Sequence, residues 1–236
     1  MLLHMIIRLQ YGGKPFSIPI HYNHLIQAYI YRIMGPYAPF VHDIGFRKGK
    51  KQFKLFVFSR LFGNFRRQGE FLHYTPPVSL YVATPLDNLG KSMMVGAAGR
   101  GIVDGLHLER MEVISPEIST NEAHLKTLSP IAVRIKEGGK HIYLSPEDER
   151  FKTLLEENLR DKFEAVFTTR YRGEIHIRIE KWKKRVINFK GIPVEAYDSA
   201  LFIRASQKMI GLAMEAGLGA RNSQGFGMVL AGGMFR

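Results

Sequence analysis

The sequence predicts an α+β chain of two tandem βαββαβ halves. Three observations lead to it. Alternating apolar runs and runs with helical spacing follow one another as strand, helix, strand, strand, helix, strand, and then do so again. The two rounds meet at Ser119-Thr120-Asn121-Glu122, a polar stretch that places a boundary between a unit of residues 1–120 and one of residues 121–236. The second round ends as a helix, a glycine-rich loop and a strand. This order of elements is the ferredoxin-like, RRM-like arrangement.

In the first half, Leu2 to Leu9 is an apolar run closed by Tyr11-Gly12-Gly13, a strand and its turn. No small-residue cleavage site follows it, so it does not read as a signal peptide. His24 to Met34 predicts the first helix, with Asn23 as N-cap and Gly35-Pro36 as stop. Tyr22, Leu25, Ile26, Tyr29, Ile30 and Ile33 share one face at about 100° per residue. Tyr31 falls on roughly the opposite side, so its phenol meets solvent, another element or a substrate. Val41-His42-Asp43 lies in the connection that follows. Phe53 to Ser59 predicts a strand, and Phe71 to Thr84 contains another, with Pro76-Pro77 as a break or an edge. Thr84-Pro85 predicts the start of a second helix, cap and first-turn proline, which ends near Gly99 or Gly101. His107 to Ile118 closes the half as a strand.

The second half predicts strands at Leu125 to Ile135 and His141 to Leu144, then a helix opened by a capping box at Ser145-Pro146-Glu147-Asp148. Glu174 to Trp182, Val186 to Phe189 and Ala200 to Arg204 read as strands, and Ser206 to Ala216 as the last helix. Gly217, Gly219, Gly225 and Gly227 then bracket Arg221, Asn222, Ser223 and Gln224, and no acid follows Glu215. Glycines tolerate positive φ, and successive N–H groups in such a loop can converge on an anion. The order helix–loop–strand is the reverse of a dinucleotide or phosphate-binding loop, and Asn222 stands where the third glycine of that fingerprint belongs. The plain alternative is a turn with Gly217 as a helix C-cap.

The formal net charge is +13, from 34 Lys and Arg against 21 Asp and Glu, which favours a polyanionic partner. Phe46 to Arg67 holds eight basic residues, six Phe and no acid; Lys181 to Lys190 holds five basic residues around Trp182 and Phe189. Such stretches suit phosphates and unpaired bases. Membrane-surface binding is the rival partner, but no basic amphipathic helix or membrane-spanning run is present in the sequence. The absence of cysteine excludes disulfides and thiolate metal sites and fits a cytoplasmic protein. His21 and His24 have metal-like spacing, without a third ligand. A His such as His42, beside Asp43 in a loop, is on its own most often a surface residue.

With these segments in hand, the chain resembles the RAMP superfamily, and within it the CRISPR-associated endoribonucleases that cut precursor CRISPR RNA within its repeats. The resemblance rests on the tandem halves, the pattern Gly217 to Val229, Tyr22-Asn23-His24, Ile30-Tyr31 and Thr127 to Val133. It implies a tyrosine in the first helix, a histidine soon after and a lysine at the next strand as catalytic groups: Tyr31, His42 and Lys54, with Lys50 and Lys51 as competitors for the last role. It implies attack by the ribose 2′-hydroxyl, giving a 2′,3′-cyclic phosphate and a 5′-hydroxyl, with neither metal nor cofactor. Family analogy makes Tyr31 the base and His42 the acid, but residue chemistry leaves the direction open. A phenol needs a cationic neighbour to act as a base at neutral pH, and Lys54 is the candidate. Expected RNA contacts are Arg204, Arg221, Asn222, Ser223 and Gln224 with the four loop glycines, and then Lys181, Lys183, Lys184, Arg185 and Lys190. CRISPR repeat RNA is the expected partner, with other CRISPR-associated proteins as further ones, for a monomer or homodimer. The alternative is a non-cleaving RNA-binding subunit of a CRISPR ribonucleoprotein.

Overall fold

The computed structural model describes residues 5–49, 51–116 and 118–232. The first half runs β1 (Ile6–Gly13), β2 (Phe16–Pro19), α1 (Asn23–Ile33), β3 (Phe46–Lys48), β4 (Lys51–Phe53), β5 (Val57–Phe58), β6 (Phe62–Gln68), β7 (Phe71–Ala83), α2 (Asp87–Ala97) and β8 (Leu106–Ile114). β1 lies between β7 and β8, and β5 and β6 pair with the other edge of β7, all antiparallel. The second half runs β9 (Glu122–Thr127), β10 (Arg134–Glu137), β11 (Lys140–Tyr143), α3 (Glu149–Phe167), β12 (His176–Phe189), β13 (Ile192–Arg204), α4 (Gln207–Ala216) and β14 (Val229–Ala231). Its sheet order is β12-β13-β9-β14. In each half the first strand pairs with the third and the fourth, the ferredoxin-like order predicted from sequence. Residues 2–4 of the predicted first strand lie outside the described residues.

Apolar periodicity accounts for the packing. On α1, Ile26, Tyr29, Ile30 and Ile33 are fully buried, while Leu25, expected on the same face, is exposed. Tyr29 meets Tyr11 of β1 through their hydroxyls at 2.6 Å, which satisfies two phenols that burial would otherwise penalise. One apolar cluster crosses between the halves: Val57, Tyr81 and Ala83 are buried together with Leu218, Met228 and Leu230. That shared core fixes the two sheets against each other and so defines the cleft between them.

Several expected boundaries differ, each for a local reason. The strand expected from Phe53 to Ser59 is broken at Lys54–Phe56, where Leu55 takes a left-handed φ of 52° and its carbonyl accepts from the Thr84 hydroxyl at 2.7 Å. Thr84 is thereby committed to a loop, and α2 begins three residues later with Leu86 at its N-cap. β7 is continuous through Pro76-Pro77, but its partner changes there: Phe71–Tyr74 pair with β2 and Val78–Ala83 with β1. The strand expected from Leu125 to Ile135 also divides, into β9 and β10. α3 is capped by Asp148 rather than Ser145, its side chain accepting from the Arg150 N–H at 2.9 Å. Lys181 to Lys190 lies on the long β12–β13 hairpin. α4 falls where the last helix is expected, with the Ser206 hydroxyl capping it by accepting from the Met209 N–H. Among the described residues no helix is long and apolar enough to cross a membrane.

Candidate active site and RNA interface

α1 presents a second, polar stripe beside its apolar face. Asn23, Gln27 and Tyr31 recur every four residues and therefore stack along one side. Asn23 is not the N-cap, a role that falls to Tyr22. Its buried amide instead donates to the carbonyls of Gln224 at 2.9 Å and Gly225 at 3.3 Å. Gln27 donates to the carbonyl of Ser223 at 2.7 Å. The helix that carries Tyr31 is thus the one that tethers the glycine loop of the other half.

Tyr31 and His42 come together. Their ring centroids are 5.2 Å apart at 72°, and Phe56 packs edge-on against Tyr31 at 5.6 Å. His42 sits on a single wide (π) turn, Phe40–Ile44, closed by the Gly45 N–H on the Phe40 carbonyl at 2.8 Å. Gly45 has a φ of 59°, and a Cβ there would stand 2.7 Å from the Phe53 carbonyl, so glycine is required at this close approach. The His42 Nδ1–H donates to the Asp43 carboxylate at 2.6 Å, which leaves Nε2 as the free ring nitrogen. Lys54 donates to the His42 backbone carbonyl. Lys51 is held by Asp161, and Lys50 lies outside the described residues. Of the lysines considered, Lys54 is the one seen to reach the histidine.

Charge around this group sets the proton chemistry. Burial, and then the Asp43 carboxylate, push the Tyr31 phenol up to about 12. Burial and, to a smaller degree, Arg47 lower the Lys54 ammonium, while Asp43 opposes them. The cationic contact that would make Tyr31 a base is not formed: Lys54 points its ammonium at the histidine carbonyl.

Beside Lys54 opens a cavity of about 570 Å³ between the halves, with Arg134, Asn158, Lys162, Arg221 and Ser223 among its lining residues. Arg134 and Arg221 share this wall, and the Arg134 guanidinium is lowered by burial and then by Arg221. Arg221 bonds Gln224 at 2.6 Å, and its Nε is buried without a partner. Clustered cations with one acid, Glu157, on the wall suit an anionic ligand.

Much of the glycine-loop backbone is already bonded within the protein. The N–H groups of Leu218, Ala220, Gln224, Gly225 and Gly227 all donate to carbonyls of the chain. Gly217, Gly219, Gly225 and Gly227 are buried at positive φ, and an added Cβ would collide with protein atoms at every one of them. Asn222 is likewise turned inward, donating to the carbonyls of Leu218 and Phe226 at 3.0 Å each. The polar side chains of Arg221, Ser223 and Gln224 are what the loop offers at the cavity.

Other expected contacts lie elsewhere. Arg204 is paired with Glu122 at 2.7 Å and does not line the cavity. Lys181 and Lys183 line a shallow groove with Trp182 on the outer side of the second sheet. Lys184 pairs with Glu195 and Arg185 with Asp198, acids that the neighbouring strand brings across from outside the basic run. Lys190 is exposed at the hairpin turn. His21 accepts from the Asn188 N–H at 3.2 Å and His24 bonds the His21 carbonyl, so neither is poised as a ligand, and among the described residues no metal-sized group of His, Asp and Glu converges. Sequence reasoning missed Arg134, Gln27 and Lys162. Lys162 had a signal, a lone lysine among the inward positions Phe151, Leu155, Leu159 and Phe163 of α3.

Comparison with known proteins agrees with this architecture. The family model described as "CRISPR associated protein Cas6, C-terminal" matches residues 113–230. The chain is 23% identical over 228 residues to the CRISPR-associated endoribonuclease Cas6 of Pyrococcus furiosus, covering 92% of this chain and 84% of that protein. It is 26% identical over 242 residues to the CRISPR-associated endoribonuclease Cas6 1 of Methanocaldococcus jannaschii, covering 96% and 92%. The fold matches a solved structure described as a Cas6-related gene product from Pyrococcus furiosus, with a TM-score of 0.82, 21% identity and 96% and 98% of the two chains covered. It also matches one described as a RAMP protein binding different RNA substrates, with a TM-score of 0.81, 20% identity and 97% and 99% covered. On the family model, which spans half of it, and on a fold shared end to end, this chain belongs to the Cas6 family of CRISPR-associated proteins.

Proposed function

We propose that this protein is a metal-independent endoribonuclease that cuts precursor CRISPR RNA within its repeats. The observation that carries the reading is the convergence of Tyr31, His42 and Lys54 beside a cationic cavity at the junction of the halves. Residues 1–120 supply the reacting groups and residues 121–236 the loop and most of the cationic wall. The His42 Nε2 takes the proton of the ribose 2′-hydroxyl, while Asp43 orients the ring and offsets the imidazolium that forms. The 2′-oxygen bonds to the adjacent phosphorus, the bond from phosphorus to the 5′-oxygen breaks, and the Tyr31 hydroxyl donates its proton to that oxygen. A phenol raised to about 12 is a proton donor at neutral pH rather than a base, which favours this direction over the one drawn from family analogy. Lys54 holds the His42 loop and offsets charge on the phosphate. The products are a 2′,3′-cyclic phosphate and a 5′-hydroxyl.

The test is incubation with CRISPR repeat RNA in EDTA. Cleavage is expected, and a single 2′-deoxy substitution at the mapped cut is expected to abolish it. Cutting of the deoxy substrate would rule out the in-line mechanism, and RNA that stays whole while binding tightly would identify a non-cleaving subunit. Arg221→Gln is expected to weaken binding several-fold and to lower the slope of log affinity against log salt by about 0.7, the share of one contact to a single strand. An unchanged slope removes Arg221 from the interface.

A further inference from the structure

Lys162 is 2% exposed, in the middle of α3. Its ammonium donates to the Gly217 carbonyl at 2.7 Å, the Gly219 carbonyl at 3.2 Å and the Asn222 side-chain oxygen at 2.7 Å. Three N–H donors meet three acceptors, all in the glycine loop. A neutral amine has only two N–H groups, so this arrangement is complete only for the charged form. Among the described residues no carboxylate bonds to it. An uncompensated buried ammonium is expensive, and burial lowers this one to about 7.

The cavity beside it is lined mostly by cations. The groups facing the same cavity are Lys51 and Lys54 from the segment around β4, Arg134 from β10, Arg221 from the loop, and Glu157 with Asn158 from α3 itself. Lys51 is engaged by Asp161, whose carboxylate is also bound by Lys48 and so faces the β3–β4 hairpin. α1 contributes only the neutral amides of Asn23 and Gln27 to the far side of the loop. With one acid on the cavity wall against these cations, the cavity suits an anion.

We propose that Lys162 is a positioning residue of the RNA site: it ties the glycine loop into its binding shape and places a positive charge beneath the bound phosphodiester, so that RNA binding and protonation of Lys162 are coupled. The proposal rests on the RNA-binding part of the function proposed above, and not on cleavage. Its sign follows from linkage. An anion overhead favours the charged form, so the complex holds the proton to higher pH than the free protein does, and affinity falls as pH rises above about 7.

The experiment measures binding of fluorescein-labelled repeat RNA by anisotropy from pH 6 to pH 9, with the 2′-deoxy substitution at the cut, or unmodified where the RNA is never cut. The proteins are His42→Ala, which removes the nearby imidazole from the titration, and the same protein carrying Lys162→Met or Lys162→Gln. Binding to the parent is expected to weaken about ten-fold across the range, as one lost unit of coupling requires. Both lysine variants are expected to bind about ten-fold or more weakly at pH 6 and to lose most of the pH slope. Gln keeps two N–H donors, so a variant that restores both affinity and slope would overturn the proposal in favour of hydrogen bonding alone. Should both variants fail to fold, calorimetry of the parent at pH 7.5 in two buffers of different ionisation enthalpy decides: net proton uptake on binding RNA supports the coupling, and none refutes it. Cleavage with an unchanged pH slope refutes this proposal alone, whereas a pH-coupled complex that never cuts refutes only the nuclease reading.

Discussion

His42→Ala is expected to slow cleavage of repeat RNA at saturating protein by about 10²–10⁴-fold, the usual worth of one proton-transfer group, with RNA affinity nearly unchanged. The ring is exposed and bonds to Asp43, so its removal leaves no cavity and no buried partner unsatisfied. Tyr31→Phe is expected to cost a similar factor while the edge-on contacts of the ring persist. A leaving group that needs no proton separates the two directions of proton transfer. With imidazole as base and a phenol raised to about 12 as acid, a sulfur in place of the 5′-oxygen at the cut leaves unprotonated and is expected to restore most of the rate lost in Tyr31→Phe. With the phenol as base and imidazolium as acid, the same substrate restores His42→Ala instead. Single-turnover cleavage of this substrate at saturating protein reads this directly, and rescue of His42→Ala with Tyr31→Phe still slow would reverse the assigned roles.

Gly227→Ala is expected to destabilise the protein by about 3 kcal/mol or more, combining a left-handed conformation with overpacking. Its φ is 78°, and the added Cβ would sit 1.9 Å from the Leu218 carbonyl oxygen and 2.8 Å from the Asn222 amide. Both neighbours are pinned, one by the chain and the other by bonds to Leu218, Phe226 and Lys162, so neither can step aside cheaply. In a chain of this size that loss lowers the melting temperature by about 6–12 °C. Gly138→Ala is the control: φ is 56° but nothing lies within 4 Å, so only the conformational cost of about 1 kcal/mol applies. Thermal unfolding of both variants checks the pair, and equal melting temperatures would mean that the loop accommodates the side chain.

The elements most legible in the sequence were those set by local pattern. α1, α4 and the order of strands and helices all follow from apolar spacing and turn residues within a few positions. Local signals failed where a distant partner intervened. Asn23 looks like a cap because caps are asparagines next to apolar helices, yet its amide is spent on carbonyls about 200 positions away. Thr84-Pro85 looks like a helix start, but the carbonyl of Leu55 claims the hydroxyl. The glycine loop invited an anion-nest interpretation because glycine spacing does not say which way an N–H points; packing against Pro130, Ala132 and Phe58 turns the backbone inward.

What the sequence by itself determined is the type and order of the elements and the identity of the groups able to move a proton, since periodicity and residue chemistry are local properties. The tertiary structure alone decided which of those groups meet and which charges survive. Lys48, Lys51, Lys184 and Arg185 read as free cations until opposing elements bring them acids, whereas Lys162 acquires its character from burial and Arg134 from burial beside Arg221. The reason is physical: burial and Coulomb interactions depend on distance in space, which a linear chain acquires only by folding.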